Sequence, residues 1–339
     1  MNAVLVTGGA GFIGSHYVKE LLQADDTARV TVLDALTYAG HLDNLSEAFL
    51  DPRLTFVHGS ILDAALVDQL MASHTHVVHF AAESHVDRSL VGETLFAETN
   101  VLGTQILVNA ASRHPIQRFV HISTDEVYGP LPEGTATEDD PLLPTVPYAA
   151  TKAASDLIAL SAYRNLRDAG VRDPLLQQLR ACPAPGEDRP SVLTRLLRGE
   201  PVTLHGRGEH VRNWLHVSDH CAGIDLVLRG GTPGEVYNIG GGTDLTSREL
   251  TGELLRLCGA DWNKVQYIPD RRANDIRYSM AWDKIAQLGY EPRRDFHEAP
   301  SDTVQWYRHH HRRWTPPPHA CAVTRPHVIL DASREPEHA

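Results

Sequence analysis

Tyr148 and Lys152 stand four residues apart at the start of a predicted helix, so both side chains fall on one helix face, within reach of a shared ligand. A phenol is a poor base at neutral pH. Beside an ammonium and a bound nicotinamide cation the phenolate is favoured, and it can take a proton from an alcohol while hydride leaves the same carbon. By spacing alone an exposed, solvated helical Tyr and Lys is the favoured reading. What selects the chemical reading lies upstream, where Ala3 to Ser15 give a short apolar strand, a turn containing Gly8, Gly9 and Gly11, and the start of a helix patterned by Tyr17, Val18, Leu21 and Leu22. Such a turn lets backbone approach a pyrophosphate, at which the following helix directs free N–H groups and its positive dipole end. Asp34 ends the next predicted strand, about 20 residues beyond Gly14, where a carboxylate accepts hydrogen bonds from a ribose diol and repels a 2′-phosphate. The turn could be purely structural, but with Asp34 in place the expected ligand is NAD rather than NADP.

The elements that must position these groups follow from the apolar segments Val30–Leu33, Leu54–Val57, Val77–Phe80 and Phe119–Ile122, with helical patterns between them. Strands alternating with helices imply an α/β fold, a Rossmann-type doubly wound parallel sheet whose ligands bind beyond the carboxyl ends of the strands. Chemistry is therefore expected in Ala81-Ala82-Glu83-Ser84 and in Ser123-Thr124-Asp125-Glu126, each directly after a strand. Tyr128 to Pro147, rich in Pro, Gly and acids, reads as a surface loop. From about residue 190 the alternation is lost, leaving shorter elements such as a strand at Val236–Ile239 and a helix at Ser247–Leu257. The expected organisation is an NAD-binding domain over 1–172 with a returning segment near 211–235, a mainly substrate-binding α/β region over 173–315, and a disordered tail over 316–339.

A net charge of -12 and the lack of a basic stripe argue against nucleic-acid binding. No stretch approaches the roughly 20 apolar residues of a membrane span, and the chain begins in a strand with no room for a signal peptide, so a cytoplasmic enzyme is expected. Cys182, Cys221, Cys258 and Cys321 are scattered without metal-ligand pairing, and His309 to His311 read as a solvated helix end, so no metal is expected.

Thr7 to Gly14, Ala81 to Ser89, Ser123 to Gly129 and the Tyr148/Lys152 pair together resemble the extended short-chain dehydrogenases, and among them the dTDP-glucose 4,6-dehydratases. The likeness covers about residues 1–163 and 192–315, and its most discriminating element is Asp125-Glu126; related epimerases and decarboxylases lack that acid pair. The pair also makes chemical sense. A ketone formed at C4 of a hexose acidifies the C5 hydrogen, so one carboxylate must remove that proton while an acid protonates the departing C6 hydroxyl. The resemblance implies Glu126 as base, Asp125 as acid and Thr124 as hydrogen-bond partner of O4, with Tyr148 and Lys152 completing the catalytic set. Asp125 must then carry a proton at the reactive moment, a state favoured by burial and a like-charged neighbour. NAD contacts implied in the same way are Gly8, Gly11, Phe12, Ile13, Gly14, Asp34, Ser60, Ile61, Phe80, Ala81, Ala82, Ser84 and Thr99, joined by Tyr148 and Lys152. Ser60 stands where the family has Asp. Substrate contacts implied for dTDP-glucose are Ser84, Thr124, Arg212 as a diphosphate clamp, Asn238, Arg271 and Asn274, the last replacing a usual His. A homodimer is implied as well.

Between about 164 and 191 the likeness breaks. In place of the family's strand and its Thr-Arg-Cys, Asn-Asn-Tyr-Gly-Pro and Pro-Glu-Lys motif, the chain runs from Asp173 to Pro190 through Leu175-Leu176-Gln177-Gln178 and Pro183-Ala184-Pro185-Gly186. One coding sequence accommodates both, for permitted codons of Asp173–Pro190 shifted by a single base give Thr-Arg-Cys-Cys-Asn-Asn-Tyr-Gly-Pro-Ala-Pro-His-Pro-Glu-Lys-Ile-Val. A pair of compensating frameshifts is implied, the first between Tyr163 and Arg172 and the second near Pro190 to Val192. As written, the chain is expected to lose the Asn pair and Lys that hold the sugar nucleotide, and a central strand with them. Sequencing the coding DNA across this window is expected to show codons for Leu175 to Asp188 that yield the motif in the shifted frame; codons that cannot do so overturn the idea.

Overall fold

The computed structural model describes residues 3–90, 92–168, 175–181, 189–270, 276–294, 299–309 and 329–331. Its centre is an eight-stranded parallel sheet. Seven strands, β1 (Val4–Thr7), β2 (Val30–Asp34), β3 (Leu54–His58), β4 (His76–His79), β5 (Arg118–Thr124), β6 (Leu175–Ala181) and β9 (Val236–Ile239), form it with the edge strand β12 (Ile329–Asp331). The order is β12-β3-β2-β1-β4-β5-β6-β9, so the chain winds outward from β1 to β3 and returns to place β4 on the other side of β1. That reversal opens a crevice at the carboxyl ends of β1 and β4, where a doubly wound sheet binds ligands.

Most of the strands carry apolar runs because helices cover both faces. On one face α1 (Phe12–Ala24) and α8 (Val217–Gly230) bury Tyr17, Val18, Leu21, Cys221, Ile224 and Val227 against the sheet. On the other, α2 (Ala64–Met71), α5 (Thr104–Arg113) and α6 (Pro147–Asp168) pack over Leu5, Leu33, Val77 and Phe119. The Asp63 carboxylate caps α2 by accepting the Ala65 and Leu66 N–H groups. Two short helices, α3 (Val86–Ser89) and α4 (Glu93–Phe96), and a π-helical turn over Ala97–Gly103 lead into α5.

A second core, around Leu193, Leu204, Leu250, Leu254 and Val265, lies among α7 (Arg189–Leu197), α9 (Ser247–Cys258) and α11 (Ala299–His309). Here β7 (Val202–His205) pairs with β11 (Val265–Ile268), and β8 (Val211–Trp214) with β10 (Thr243–Thr246). Thr246 and Glu249 form a reciprocal capping box at the start of α9.

Two expectations change. The central strand expected to be lost is present as β6, paired in register with both β5 and β9. Leu175 to Ala181 contain no proline, and the prolines at 174, 183 and 185 flank the strand, so its ladder donors survive. In addition, β12 falls inside the segment expected to be disordered; the rest of that segment lies outside the described residues. Leu179 pairs with Ile122 on one side and Tyr237 on the other. Leu179→Pro is therefore expected to lower unfolding free energy by at least about 3 kcal/mol in urea denaturation, through a lost donor and steric conflict in an internal strand.

Candidate active site

The glycine turn follows β1 directly. Gly8 has φ +71°, and a Cβ there would lie 2.6 Å from the Ala81 nitrogen. At Gly14 a Cβ would meet the Gly8 oxygen at 2.4 Å. Gly11 begins α1 with no side-chain cap and no acid in the first turn, leaving the helix N-terminus open for an anion beside the exposed Phe12 and half-buried Ile13. Asp34, at the end of β2, accepts the Ala10 N–H at 2.9 Å and the Leu36 N–H at 2.8 Å; burial raises its carboxyl above the usual range despite these bonds. A backbone cradle that only glycine allows, with a carboxylate at the next strand end, fits a dinucleotide with a free ribose diol.

The other implied cofactor contacts border the same crevice or the neighbouring strand end. Ser60 accepts the Leu62 N–H, and Ile61 is buried against Gly103. Phe80 packs on Tyr17, the Ala81 N–H donates to the Thr7 hydroxyl, and Ala82 and Ser84 continue the loop after β4. Thr99 is half-buried in the π-helical turn.

At the end of β5 the chain makes a 3-10 turn over Asp125–Tyr128, and Asp125 and Glu126 are both buried. The Thr124 hydroxyl accepts the Glu126 N–H at 3.3 Å and donates to Asp125 Oδ1 at 3.2 Å. Lys152, on α6, donates from Nζ to the Ile122 carbonyl of β5 at 2.6 Å, two residues before Thr124. Burial pushes this ammonium down to about 8, opposed by the Asp156 carboxylate. Tyr148 is buried one turn earlier, just after Pro147 opens the helix, with its ring edge-on to Phe96. The structure thus gathers Thr124, Asp125, Glu126, Tyr148 and Lys152 around one strand end and one helix start.

Several polar residues that support this site carry no motif in the sequence. Thr104 gives its hydrogen to the Asn100 carbonyl at 2.7 Å, so it accepts from His79 Nε2 at 3.1 Å. Burial keeps His79 well below its usual pKa and hence neutral; its Nδ1 accepts the Thr7 hydroxyl at 2.7 Å. Asn100 also clamps the Glu83 backbone and donates to Thr151, whose hydroxyl donates to the Tyr148 carbonyl. His79 stacks 5.2 Å from His121, whose Nε2 meets Ser155 at 3.0 Å and Asp156 at 3.4 Å. A chain of buried hydrogen bonds thus runs from the glycine turn to the Tyr148 helix.

Elsewhere the implied substrate contacts separate. Arg212, on β8, lies 4.5 Å over the Tyr278 ring and donates to its neighbour's carbonyl. Asn238 is fully buried: its Oδ1 accepts the Tyr128 hydroxyl at 2.9 Å and its backbone N–H donates to Glu138. These bonds tie β9 to the acidic turn, and the nucleotide contact that the resemblance implies for Asn238 remains a proposal. Arg271 and Asn274 lie outside the described residues.

The family model for GDP-mannose 4,6-dehydratase matches residues 5–303. A dTDP-glucose 4,6-dehydratase of Streptomyces antibioticus is 51% identical over 320 residues, which cover 92% of this chain and 94% of that protein. The chain belongs to the dTDP-glucose 4,6-dehydratase family. Within it, the crystal structure of DesIV, the dTDP-glucose 4,6-dehydratase of Streptomyces venezuelae with NAD bound, is similar at 48% identity with a TM-score of 0.87, over 92% of this chain and 98% of that one. The Bacillus anthracis dTDP-glucose 4,6-dehydratase in complex with NAD is 36% identical with a TM-score of 0.83, over 92% and 98% of the two chains. Family membership agrees with the acid pair, and with the Rossmann-type sheet that carries it. Among the described residues no group of His, Cys, Asp and Glu could hold a metal ion, and no helix is long and apolar enough to cross a membrane.

Because a Cβ on Gly14 has only backbone to meet, Gly14→Ala is expected to weaken NAD binding about tenfold to a hundredfold in calorimetric titration, the effect of roughly 1–3 kcal/mol of overpacking.

Proposed function

We propose that the chain is an NAD-dependent lyase that dehydrates dTDP-glucose to dTDP-4-keto-6-deoxyglucose, within deoxysugar biosynthesis in the cytoplasm. The observation that carries this reading is the placement of two buried carboxylates, Asp125 and Glu126, on the turn that leaves β5 immediately beyond the carbonyl held by Lys152. An alcohol oxidation alone needs the Tyr148/Lys152 pair; a second proton transfer needs the acids. NAD, when bound at the glycine turn, supplies the capacity to accept a hydride from C4 and return it at C6.

Tyr148 takes the C4 hydroxyl proton, and the Lys152 ammonium stabilises its phenolate. Thr124 orients O4. With C4 a ketone, Glu126 removes the acidified C5 proton while Asp125 gives a proton to the departing C6 hydroxyl, so that water leaves. Glu126 then gives its proton back to C5, and the proton that Tyr148 took from the C4 hydroxyl balances the one Asp125 lost to the departing water, so that exchange with solvent restores both groups. Ser84, on the loop after β4, and Arg212, on β8, are proposed substrate contacts; Arg271 and Asn274 remain proposals carried by resemblance.

Leu95, Leu102 and Leu157 leave apolar surface exposed on α4, the π-helical turn and α6, which supports a homodimer formed through these helices. A second reading is favoured by one feature: the Asp173–Pro190 segment lacks the family's sugar-nucleotide motif, so the chain could be a noncatalytic NAD-binding relative. A dehydratase or epimerase of another nucleotide-linked hexose is the remaining alternative.

One experiment separates these readings. The purified chain is assayed for bound NAD and incubated with dTDP-, UDP- and CDP-glucose, and the keto product is measured. Product from dTDP-glucose alone is expected; product only from another nucleotide supports the alternative enzyme, and bound NAD without turnover supports the noncatalytic relative. In the active protein Tyr148→Phe and Glu126→Gln are each expected to reduce kcat by about 10²–10⁴-fold. Lys152 is charged below about pH 8 and neutral above, and only the charged form stabilises the phenolate. The kcat/KM profile is therefore expected to fall as pH rises through about 8, a limb that Lys152→Met removes along with most of the activity.

A further inference from the structure

The glycine turn sits between two loops that touch each other across it. One follows β2 and runs from Asp34 through Tyr38 to the turn at Leu42–Leu45; the other follows β4 and runs from Phe80 through Ser84 to α3. Because β1 lies between β2 and β4 in the sheet, any contact between these loops spans the carboxyl end of β1. Such a contact exists. The Ser84 N–H donates to the Tyr38 hydroxyl at 3.3 Å, the two hydroxyls are 3.4 Å apart, and the Arg88 guanidinium stacks 3.8 Å from the centre of the Tyr38 ring.

Both loops are also anchored below this contact. On the β2 side, His41 N–H and Asn44 Nδ2 donate to the Ala10 carbonyl in the glycine turn at 3.0 and 2.9 Å. Gly40 lies so close to Asp34 that a Cβ would stand 2.6 Å from its carboxylate, and Leu36 holds φ +51°, so the loop is folded tightly back on the ribose-binding residue. On the β4 side, Asn100 holds the Glu83 backbone in both directions at 2.8 and 2.9 Å. Among the described residues, Tyr38 with Ser84 and Arg88 joins the two loops directly.

We propose that Tyr38, Ser84 and Arg88 form a clasp over the cofactor crevice, which retains NAD on the protein from one turnover to the next. The inference rests on the dehydratase reading, in which the hydride taken is later returned and the cofactor gains nothing by leaving. A dinucleotide held at the glycine turn with its ribose on Asp34 would occupy the crevice that these loops border, so its release would require the Tyr38 contacts to part. Tyr38 and Arg88 are positioning residues here, acting on the rate of release and not on bond chemistry.

The test measures NAD release directly. Protein loaded with radiolabelled NAD is diluted into excess unlabelled NAD, and retained label is followed by rapid gel filtration, in the unaltered chain and in Tyr38→Phe, Arg88→Ala and the double variant. Tyr38→Phe keeps the ring beneath Arg88 and removes the hydroxyl; Arg88→Ala removes an exposed side chain and provides a variant with little bearing on folding. Each single change is expected to speed release several-fold and the double change about tenfold, the effect of losing one polar contact and one cation–π contact. Turnover of the double variant in NAD-free buffer should decay with time and recover on adding NAD, whereas that of the unaltered chain should persist. Release rates unchanged in all three variants, with NAD retained by the unaltered chain, overturn the clasp and leave the dehydratase reading intact. An unaltered chain that holds no NAD overturns both.

Discussion

A buried ammonium ion has few places to go, and Lys152 constrains the site around it. Taking its charge out of water is costly unless hydrogen bonds and an opposite charge replace the solvent. The Ile122 carbonyl at 2.6 Å and the Asp156 carboxylate do this only when α6 lies at one height over β5. The same height fixes Tyr148 one turn earlier, beside the strand end that becomes Thr124, Asp125 and Glu126. A shift of α6 by a single residue would strand the charge and separate the phenol from the acids. The energetic demand of one cation thereby becomes positional accuracy for five side chains.

A neutral histidine extends that accuracy across the sheet. His79 can satisfy both ring nitrogens only as the Nε2-protonated tautomer, donating to Thr104 and accepting from Thr7. Burial above all, and then the neighbouring His121 and Lys152, disfavour a second proton. The glycine turn on β1 and the Tyr148 helix are thus linked by bonds whose donors and acceptors have one consistent assignment. Such fully satisfied networks specify one arrangement of a polar interior, because any partial rearrangement leaves a buried group unpaired.

Much of this was legible in the sequence, and for identifiable reasons. Parallel strands buried on both faces appear as apolar runs, so Val30–Leu33, Leu54–Val57 and Phe119–Ile122 agree with β2, β3 and β5 to within a few residues at their ends. The glycine turn, Asp34 and the acids after β5 were visible because their residue types are needed where strands end. Less legible was β6, whose Leu-Leu-Gln-Gln-Leu-Arg-Ala lacks the usual apolar continuity, lies among prolines, and becomes a strand because β5 and β9 offer it two open edges. For Asn238 the sequence shows amide chemistry and not depth; its bond to the Tyr128 hydroxyl is visible only in the fold. His79 and Tyr38 gave no signal, since their roles come from neighbours 25 and 46 residues away.

The acidic turn shows how the fold sustains two carboxylates in one buried place. Gly129, at φ +77°, ends the turn where a Cβ would run into the Leu143 carbonyl, and the Leu143 N–H in return donates to Val127. Tyr128 is pinned to Asn238, while Thr124 holds both the Glu126 backbone and the Asp125 carboxylate. The turn is thus fixed at its start, middle and end by contacts that leave the acids little freedom to move apart. Fixing the backbone of a buried turn at three points holds its side chains in place, which is the support that two acids working in turn would need. The proposed elimination asks for that, one group accepting a proton and its neighbour donating one.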